Sequence, residues 1–452
     1  GSNADKRIVV KPSEQGQAVL ALYNEIAKAK GESSVSAQKL SYAKSNPAIK
    51  EMAKDLLAAN GSIVISNSND KNVQVVVNKI NDLLGNYGKT ISFANHSNQR
   101  QGDDKAVSQM IADMKAGKVD AIIINDANPV YDAPNASEFA AGLKKVKTVI
   151  SCDSWFTETS EYANYLAPQT HFLESWGDAE AKKGHFSVIQ PTIAPLHENR
   201  QFIESLLVWA GAEMTTAHDY VKNLWSSTAL AGALDTTMAW DNALHDGVVN
   251  GSVGEAVATF AGDVSAAAAK VEKGGKGIEV SFYESVNIGG GQYANNPWLQ
   301  EMPDPINRTV WDNVLMIPVS WSADKGNYVN AEGFEGLKDG DKIELTVGKN
   351  TFETVVVRQF GQMPGTASIA LGYGRTEGGR VAKGVGNDVT PMLSTYKDGS
   401  RKYFATGAKV SSKTGDDKDF ACVQMHHTMG VYDTEKPEVN VDEKLFAFQG
   451  SL

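Results

Sequence analysis

Residues able to recognise a ligand gather at the exit of one predicted strand. The segment 119–124 is an apolar, β-branched run of strand length, and the polar turn 125–131 follows it. Ligands of open α/β sheets bind beyond the carboxyl ends of the strands. This position therefore favours recognition by Asn128, Pro129 and Tyr131, through an amide that donates and accepts and through a flat phenol ring. The alternative is a plain strand end at which proline sets the turn.

A second polar loop holds acidic and imidazole side chains. Glu174 and Asp178 lie close in sequence to His171 and Trp176. Acid and imidazole groups that share a pocket can perform general acid–base catalysis. The pattern favours a structural role instead, in which Glu174 accepts backbone N–H groups and Gly177 supplies a positive φ. A partner interface is the third interpretation, and we predict no catalytic residue.

The histidines and cysteines predict no metal site. His426 and His427 are adjacent, so on a strand they would point to opposite faces. Cys152 and Cys422 are the only cysteines and lack C-x-x-C spacing. They cannot by themselves hold a four-cysteine iron–sulfur cluster or a structural zinc ion. The simplest interpretation of both cysteines is a small, buried apolar side chain.

Two glycine-rich stretches are candidates for phosphate binding. The stretch 372–380, GYGRTEGGR, sets two arginines among glycines and could cradle a phosphate, although a mobile loop is the simpler interpretation. The stretch 289–293 lacks the residue order of a P-loop or of a dinucleotide fold. Asn387 lies in a third glycine-containing stretch, 385–388.

Length and charge set the broad class. A chain of 452 residues predicts two or three domains. The net charge of −11 argues against nucleic acid as a partner. No run approaches 18 apolar residues, so the sequence predicts no bilayer span. Residues 1–4, Gly-Ser-Asn-Ala, predict an expression remnant. We therefore expect a piece of a longer protein that has lost its localisation signal.

The first half alternates between helical and strand patterns. Apolar spacing predicts helices near 47–59, 73–84, 107–114 and 139–146, and apolar runs predict strands at 62–66, 90–93, 119–125 and 148–152. Alternation at this spacing predicts a doubly wound, mostly parallel sheet.

The second half changes from helical to β patterning. Residues 256–273 predict one Ala-rich helix, and 287–305 predict an irregular crossing segment. Strands are predicted at 314–319, 342–347, 351–358 and 366–371. We therefore divide the chain into a tag and connecting segment (1–45), an α/β domain (46–205), a helical excursion and linker (206–308) and a β-barrel (309–452).

These motifs together resemble the molybdopterin oxidoreductase superfamily. In that superfamily an NP loop closes a strand and an E…G loop precedes a strand that ends in a QP turn, as do Asn128-Pro129, 174–177 and Gln190-Pro191 here. GLKDGD at 336–341 and the Pro-Gly turn after it resemble the C-terminal six-stranded barrel of molybdopterin enzymes.

One branch of the superfamily is more similar. The spellings HFLESWGD at 171–178 and IQPTIAPL at 189–196 resemble the molybdopterin-like part of the iron–sulfur B subunit of alternative complex III, as does the segment 294–313. Alternative complex III is a bacterial quinol:electron-acceptor oxidoreductase. In cofactor-bearing relatives the NP loop lies beside a guanine dinucleotide. The resemblance thus assigns a vestigial cofactor cleft to Asn128, Pro129, Tyr131, Glu174, Gly177 and Asn387.

The resemblance implies a scaffold without a redox centre of its own. In the alternative complex III branch the molybdopterin-like domain is empty, and iron–sulfur clusters in later modules transfer the electrons. This chain has no N-terminal cysteine set and no assignable metal ligand. We therefore expect no cofactor in it and an iron–sulfur module downstream. We expect haem and integral-membrane subunits as partners, at the periplasmic face of a bacterial inner membrane.

Two other functions stay open at the level of sequence. The first is a truncated bis-pterin molybdenum or tungsten oxidoreductase that carries molybdopterin guanine dinucleotide. It predicts an open cleft lined by arginines, lysines and glycine amides, whereas the scaffold predicts a cleft filled by side chains. The second is a periplasmic binding-type α/β domain for a small solute, which the β pattern after Thr309 opposes.

Overall fold

The computed structural model describes residues 3–322 and 324–422. The helices are α1 (Gln15–Lys30), α2 (Ser45–Ala58), α3 (Lys71–Leu83), α4 (Asp104–Lys115), α5 (Pro129–Asp132), α6 (Ala136–Leu143), α7 (Phe202–Trp209), α8 (Ala217–Ser227), α9 (Thr236–Asp246), α10 (Val264–Ala268) and α11 (Pro297–Glu301). The strands are β1 (Ala121–Ile124), β2 (Thr148–Ser151), β3 (Tyr165–Leu166), β4 (Gly177–Lys182), β5 (His185–Ile189), β6 (Val248–Asn250), β7 (Ile278–Glu284), β8 (Leu315–Ser322), β9 (Asn327–Asn330), β10 (Lys342–Val347), β11 (Asn350–Phe360), β12 (Thr366–Leu371), β13 (Ser394–Thr395), β14 (Arg401–Lys402) and β15 (Phe404–Val410).

A three-stranded parallel sheet carries the predicted recognition loop. Its order is β1-β2-β3, and Ile122 lies opposite Val149. Helices α4 and α6 cover it with buried apolar side chains such as Met114 and Phe139. The main-chain N–H of Cys152 donates to the carbonyl oxygen of Ile124 at 2.8 Å, so the exits of β1 and β2 are held side by side.

A helical layer precedes this sheet. Helices α1, α2, α3 and α10 share one apolar core, in which Ile26, Val76 and Ile80 are fully buried. Segment 1–45 was predicted to be a connecting segment, but its residues 15–30 form α1 and supply part of this core. The signal was present in the sequence, because Leu20, Tyr23 and Ala27 recur at helical spacing.

The strand predictions at 62–66 and 90–93 were wrong. Residues 62–66 alternate between half-buried and exposed side chains, as a strand does, yet they belong to no sheet of the described chain. Side chains replace a neighbouring strand. Asn81 accepts from the N–H of Val64 at 2.9 Å and donates to its carbonyl oxygen at 2.7 Å. Residue 91 takes part only in an isolated bridge with Tyr87.

A small antiparallel sheet, β4-β5-β6, packs on α8 and α9. Trp225 and Trp240 are almost fully buried there, with ring centroids 5.8 Å apart in an edge-to-face arrangement. The long Ala-rich helix predicted over 256–273 is much shorter. It begins only after Asp263, whose carboxylate accepts the N–H of Ala266 as an N-cap.

Six strands close a barrel in the order β11-β10-β15-β7-β12-β8, and β8 pairs again with β11. Strand β9 extends the sheet beside β8. The predicted fold class, an α/β region followed by a six-stranded barrel, is confirmed. The barrel includes β7, which lies within the segment predicted as a linker, so its first strand comes before residue 309. The barrel centre is apolar, with Val280, Ile317 and Ile343 fully buried. Within the described residues no helix is long and apolar enough to cross a membrane.

Candidate functional site

Hydrogen bonds join the loop after β1 to the loop after β2. The side-chain oxygen of Asn128 accepts from the main-chain N–H and the hydroxyl of Thr159, at 3.0 and 2.7 Å. Its amide nitrogen donates to Glu158 Oε2 at 2.7 Å. Pro129 is the first residue of α5, where a missing N–H is tolerated. Both polar atoms of the Asn128 side chain therefore bind the protein itself.

Glu158 forms a buried ion pair with Arg375, which lies on the loop after barrel strand β12. Arg375 Nε lies 3.0 and 3.1 Å from the two carboxylate oxygens, and Nη2 lies 2.9 Å from Oε2. The main-chain N–H groups of Thr376 and Glu377 also donate to Oε1, at 2.9 and 3.0 Å. The side chains of Arg375 and Glu158 are only 6% and 8% exposed. This pair fastens the α/β region to the barrel.

The charge of Glu158 is stabilised locally. Burial acts to raise its pKa, but hydrogen bonds from Arg375, from the Glu377 N–H and from Asn128 outweigh burial and hold the pKa at about 2. Arg375 Nη1 donates to the carbonyl oxygen of Gly291 at 2.8 Å. All three guanidinium nitrogens thus donate to protein acceptors, two of them to Glu158 and one to Gly291.

Tyr131 forms the floor of this cluster. Its hydroxyl donates to the carbonyl oxygen of Tyr373 at 2.6 Å, and the Arg375 guanidinium carbon lies 4.6 Å from its ring centroid. Burial raises the pKa of Tyr131. A Cβ atom added at Gly291, where φ is +107°, would come within 2.8 Å of the Tyr131 ring. Glycine is therefore required for this close approach.

Asn387 joins the same interface through its main chain. Its N–H donates to the Asn313 side-chain oxygen at 2.8 Å, and its carbonyl oxygen accepts from the Asn313 amide at 2.9 Å. A Cβ atom at Gly374 would lie 1.9 Å from the nitrogen of Asp388, so the two loops pack backbone to backbone. Burial, reinforced by the charge of Glu158, raises the pKa of Asp388 to about 6 despite hydrogen bonds from Thr390.

The loop after residues 62–66 also carries its own carboxylate. Asp70 caps the N-terminus of α3, and its Oδ1 accepts the N–H of Asn72 at 2.8 Å. The positive end of a helix attracts anions, and here a side chain of the chain occupies that position. The loop is also tied to the hairpin β13–β14, because Asn69 donates to the carbonyl oxygen of Arg401 at 3.0 Å.

Glu174 and Gly177 do not join this cluster. Glu174 accepts the N–H groups of His171 and Leu196, both at 2.9 Å, and these bonds lower its pKa. The contacts match the structural role predicted for it. Gly177 was predicted to have a positive φ, but it is the first residue of β4 and pairs with Ile189.

The other acid–imidazole candidates are engaged separately. Asp178 accepts the indole N–H of Trp225 at 2.9 Å, and His171 Nδ1 accepts the N–H of Leu173 at 3.3 Å. Cys152 is buried and Cys422 half-buried, and both thiols are free. No cluster of three potential metal ligands occurs among residues 3–322 and 324–422. His426 and His427 lie outside the described residues.

Sequence reasoning thus located one side of the cluster and missed its centre. Asn128, Pro129, Tyr131 and Asn387 meet at the interface as a group, although Asn387 contributes only main-chain bonds. Arg375 lies in the glycine-rich stretch 372–380, for which a phosphate cradle is one interpretation of the sequence. Nothing in the local sequence TETS marks Glu158 as a functional residue.

Comparison with known proteins agrees with this geometry. The family model described as molybdopterin oxidoreductase matches residues 14–204. This match supports the resemblance of residues 14–204 to the molybdopterin oxidoreductase superfamily. This match includes the NP loop, Glu158 and the Glu174 loop, and it confirms the resemblance inferred from the sequence.

A curated relative and a solved structure extend the superfamily comparison. The chain is 25% identical over 299 residues to the "Menaquinone reductase, molybdopterin-binding-like subunit" of Nitratidesulfovibrio vulgaris strain Hildenborough, covering 63% of this chain and 40% of that protein. The chain therefore matches less than half of the length of this relative. Acetylene hydratase from Pelobacter acetylenicus aligns with a TM-score of 0.61 at 14% identity, over 90% of this chain and 74% of that one. This similarity concerns the fold alone.

The superfamily implies a molybdopterin cofactor, and the residues at the NP loop do not fit its dinucleotide form. A dinucleotide carries anionic phosphates, which require cations or free N–H groups. Arg375 is neutralised by Glu158, and the Asn128 amide donates to Glu158 as well. Asp132 and Asp388, whose pKa values are raised chiefly by burial, add acidic groups to the same interface. In the loop after β1 and in the loop after residues 62–66, carboxylates of the chain itself accept the N–H groups that an anion would need.

Proposed function

We propose that this chain is the molybdopterin-like scaffold of a respiratory electron-transfer subunit and has no redox centre of its own. The observation that carries the proposal is the buried Glu158–Arg375 pair, which joins the α/β region to the barrel. Arg375 is the cation that a phosphate group would need there. Glu158 and the Gly291 carbonyl oxygen already bind its guanidinium nitrogens.

The proposed partners follow from the family relationship. The relative from Nitratidesulfovibrio vulgaris is named as a molybdopterin-binding-like subunit of a menaquinone reductase. By analogy, we place this chain in a membrane-associated quinol or quinone oxidoreductase, of which alternative complex III is our specific candidate. There it would dock an iron–sulfur module against haem and integral-membrane subunits. The periplasmic face of the inner membrane is the proposed location.

The competing function is a genuine bis-pterin molybdenum or tungsten oxidoreductase. It requires an open cleft with unengaged arginine or lysine side chains. The contacts of Asn128 and Arg375 oppose it. The likeness to acetylene hydratase does not favour it, because that likeness concerns the fold alone.

The decisive test is the metal and pterin content of the native-length subunit. The protein should be produced in a host that makes the pterin cofactor, beside an authentic molybdenum enzyme as a positive control. Molybdenum, tungsten and iron are then counted by mass spectrometry, and pterin by fluorescence after oxidation. We expect iron without molybdenum, tungsten or pterin.

The other outcomes each refute a defined part of the proposal. Stoichiometric molybdenum or tungsten with pterin would refute the empty scaffold and establish an oxotransferase-type enzyme. If iron were also absent, the docking of an iron–sulfur module would be refuted. The empty cleft would then stand without an electron-transfer role.

A further inference from the structure

The extended segment 62–66 presents one unpaired β-strand edge. Along its inner edge, side chains take the place of a neighbouring strand. Thr90 donates to the carbonyl oxygen of Ser62 at 2.6 Å, and Gln74 donates to that of Ser66 at 3.0 Å. Between them, Asn81 binds both polar main-chain groups of Val64. On the inner edge, all three even-numbered carbonyl oxygens and the N–H of Val64 are therefore bound.

The outer edge belongs to Ile63 and Ile65. In an extended chain, the N–H and C=O groups of alternate residues point to opposite edges. Since those of Val64 point to Asn81, those of Ile63 and Ile65 point away from it. Neither residue has a main-chain hydrogen-bond partner within the described chain. The two side chains are 51% and 81% exposed, so the outward face of this strand is apolar as well.

We propose that this edge receives a β-strand from a partner polypeptide of the assembled complex. Two donors and two acceptors alternate along it, as they do along another extended main chain. A helix has no free main-chain groups to offer, and an anion would be repelled by the carbonyl oxygens. The added strand would carry apolar side chains beside Ile63 and Ile65 and no proline at the paired positions. This mode of binding is strand addition to an exposed edge.

A second copy of this chain is the less suitable occupant. A stable interface buries about 1,200–2,000 Å² in total, whereas a symmetric contact through two residues of each copy covers only a small part of that. Each copy also carries a net charge of −11, so two copies repel one another. A strand from a partner needs only one free edge on this chain.

Hydrogen exchange at single amides tests the proposal. The full-length subunit should be compared alone and within the native complex, purified from membranes through a tag on this subunit. In the isolated subunit, the amides of Ile63 and Ile65 should exchange quickly, while the amide of Val64 is protected by Asn81. In the complex, the amides of Ile63 and Ile65 should exchange at least about tenfold more slowly than in the isolated subunit. Val64 is the internal control.

A pair of substitutions tests the same edge independently. Ile65→Pro removes the outer N–H, and the fold should tolerate it because that group has no described partner. Ile65→Ala keeps the N–H and shortens the side chain. We expect Ile65→Pro to reduce protection at Ile63 in the complex and to lower the yield of the complex far more than Ile65→Ala does.

Three results would overturn the proposal. Unchanged exchange at Ile63 and Ile65 in the complex would show that nothing pairs with this edge. Protection in the isolated subunit that grows with protein concentration would assign the edge to a second copy. Protection in the isolated subunit at every concentration would assign it to a strand of the same polypeptide. None of these results depends on the metal content of the subunit.

Discussion

Two carboxyl groups of the sheet–barrel interface, the buried Glu158 and the half-buried Asp388, have pKa values shifted in opposite directions. Glu158 comes from the α/β region and Asp388 from a barrel loop, and the positive charge of Arg375 lowers the pKa of both. Glu158 accepts six short contacts, from Arg375, Asn128 and two main-chain N–H groups. Asp388 accepts the N–H of Thr390 at 2.9 Å. The pKa is about 2 for Glu158 and about 6 for Asp388.

The difference lies in the hydrogen bonds that reach each group. Burial raises the pKa of both carboxyl groups, but only Glu158 receives enough donors to reverse that effect. The negative charge of Glu158 then raises the pKa of Asp388 further. The interface thus stabilises one ionised carboxylate and disfavours the second.

The two groups should therefore act on stability at different pH. A lowered pKa in the fold means that Glu158 contributes stability above its usual pKa of 4.5, and that this contribution is lost as the pH falls toward 2. A raised pKa means that Asp388 favours the fold when protonated. Its contribution is full below pH 3.8 and is lost as the pH rises through 6.

Breaking the Glu158–Arg375 pair should have the largest effect. Arg375→Met keeps most of the side-chain volume and leaves the Glu158 charge buried without its cation. We expect the free energy of unfolding to fall by roughly 3–5 kcal/mol at pH 7, as for other buried pairs with one partner removed. Urea unfolding followed by tryptophan fluorescence measures this change.

A double variant serves as the control for this pair. Arg375→Met with Glu158→Gln removes both charges and should recover at least about half of the lost stability. Arg380 lies in the same glycine-rich stretch and is exposed, so Arg380→Met supplies a matched arginine loss. A stability change for Arg375→Met no larger than that for Arg380→Met would contradict the assigned role of the pair.

Removing the second carboxyl charge should have a moderate effect of opposite sign. Asp388→Asn keeps an oxygen for the Thr390 N–H and removes a charge that the interface disfavours at neutral pH. We expect stability to rise by about 2–3 kcal/mol at pH 7.5 and to change little at pH 3.5. Thermal unfolding across this pH range checks the expectation, with the exposed Asp241→Asn as control. A gain that is equal at both pH values would exclude titration of Asp388 as its cause.

The barrel was the part of the fold that sequence patterns predicted best. The observed bounds of β10 and β12, Lys342–Val347 and Thr366–Leu371, equal the predicted ones. Their alternating apolar residues face one closed core, so local pattern and tertiary environment agree. The segment 62–66 has the same local pattern, but whether it pairs depends on chain elsewhere. Asn81 takes the place that a strand would fill.

The candidate site was predictable only on one side. Asn128 and Tyr131 follow an apolar strand, and this local signal located them. Glu158 and Arg375 are 217 residues apart, and no local pattern connects them. Only the packing of the barrel loop against the α/β region makes them partners. A prediction of ligand contact from strand exits alone therefore could not show that Glu158 binds both Asn128 and Arg375.

The smallest of these effects concerns the floor of the cluster. Tyr131→Phe removes the hydroxyl that donates to the Tyr373 carbonyl oxygen at 2.6 Å and keeps the ring beneath Arg375. We expect a loss of about 1–2 kcal/mol, since one buried acceptor is left without its partner. Tyr220→Phe, on the exposed face of α8, is the matched control and should change stability by less than about 0.5 kcal/mol.

Because Tyr131→Phe leaves the Glu158–Arg375 ion pair in place, the acid-induced loss of stability assigned to Glu158 should persist unchanged. If Tyr131→Phe also shifted that acid transition, the hydroxyl would be part of what holds Glu158 ionised, and the contrast with Asp388 would rest on more than the donors named above.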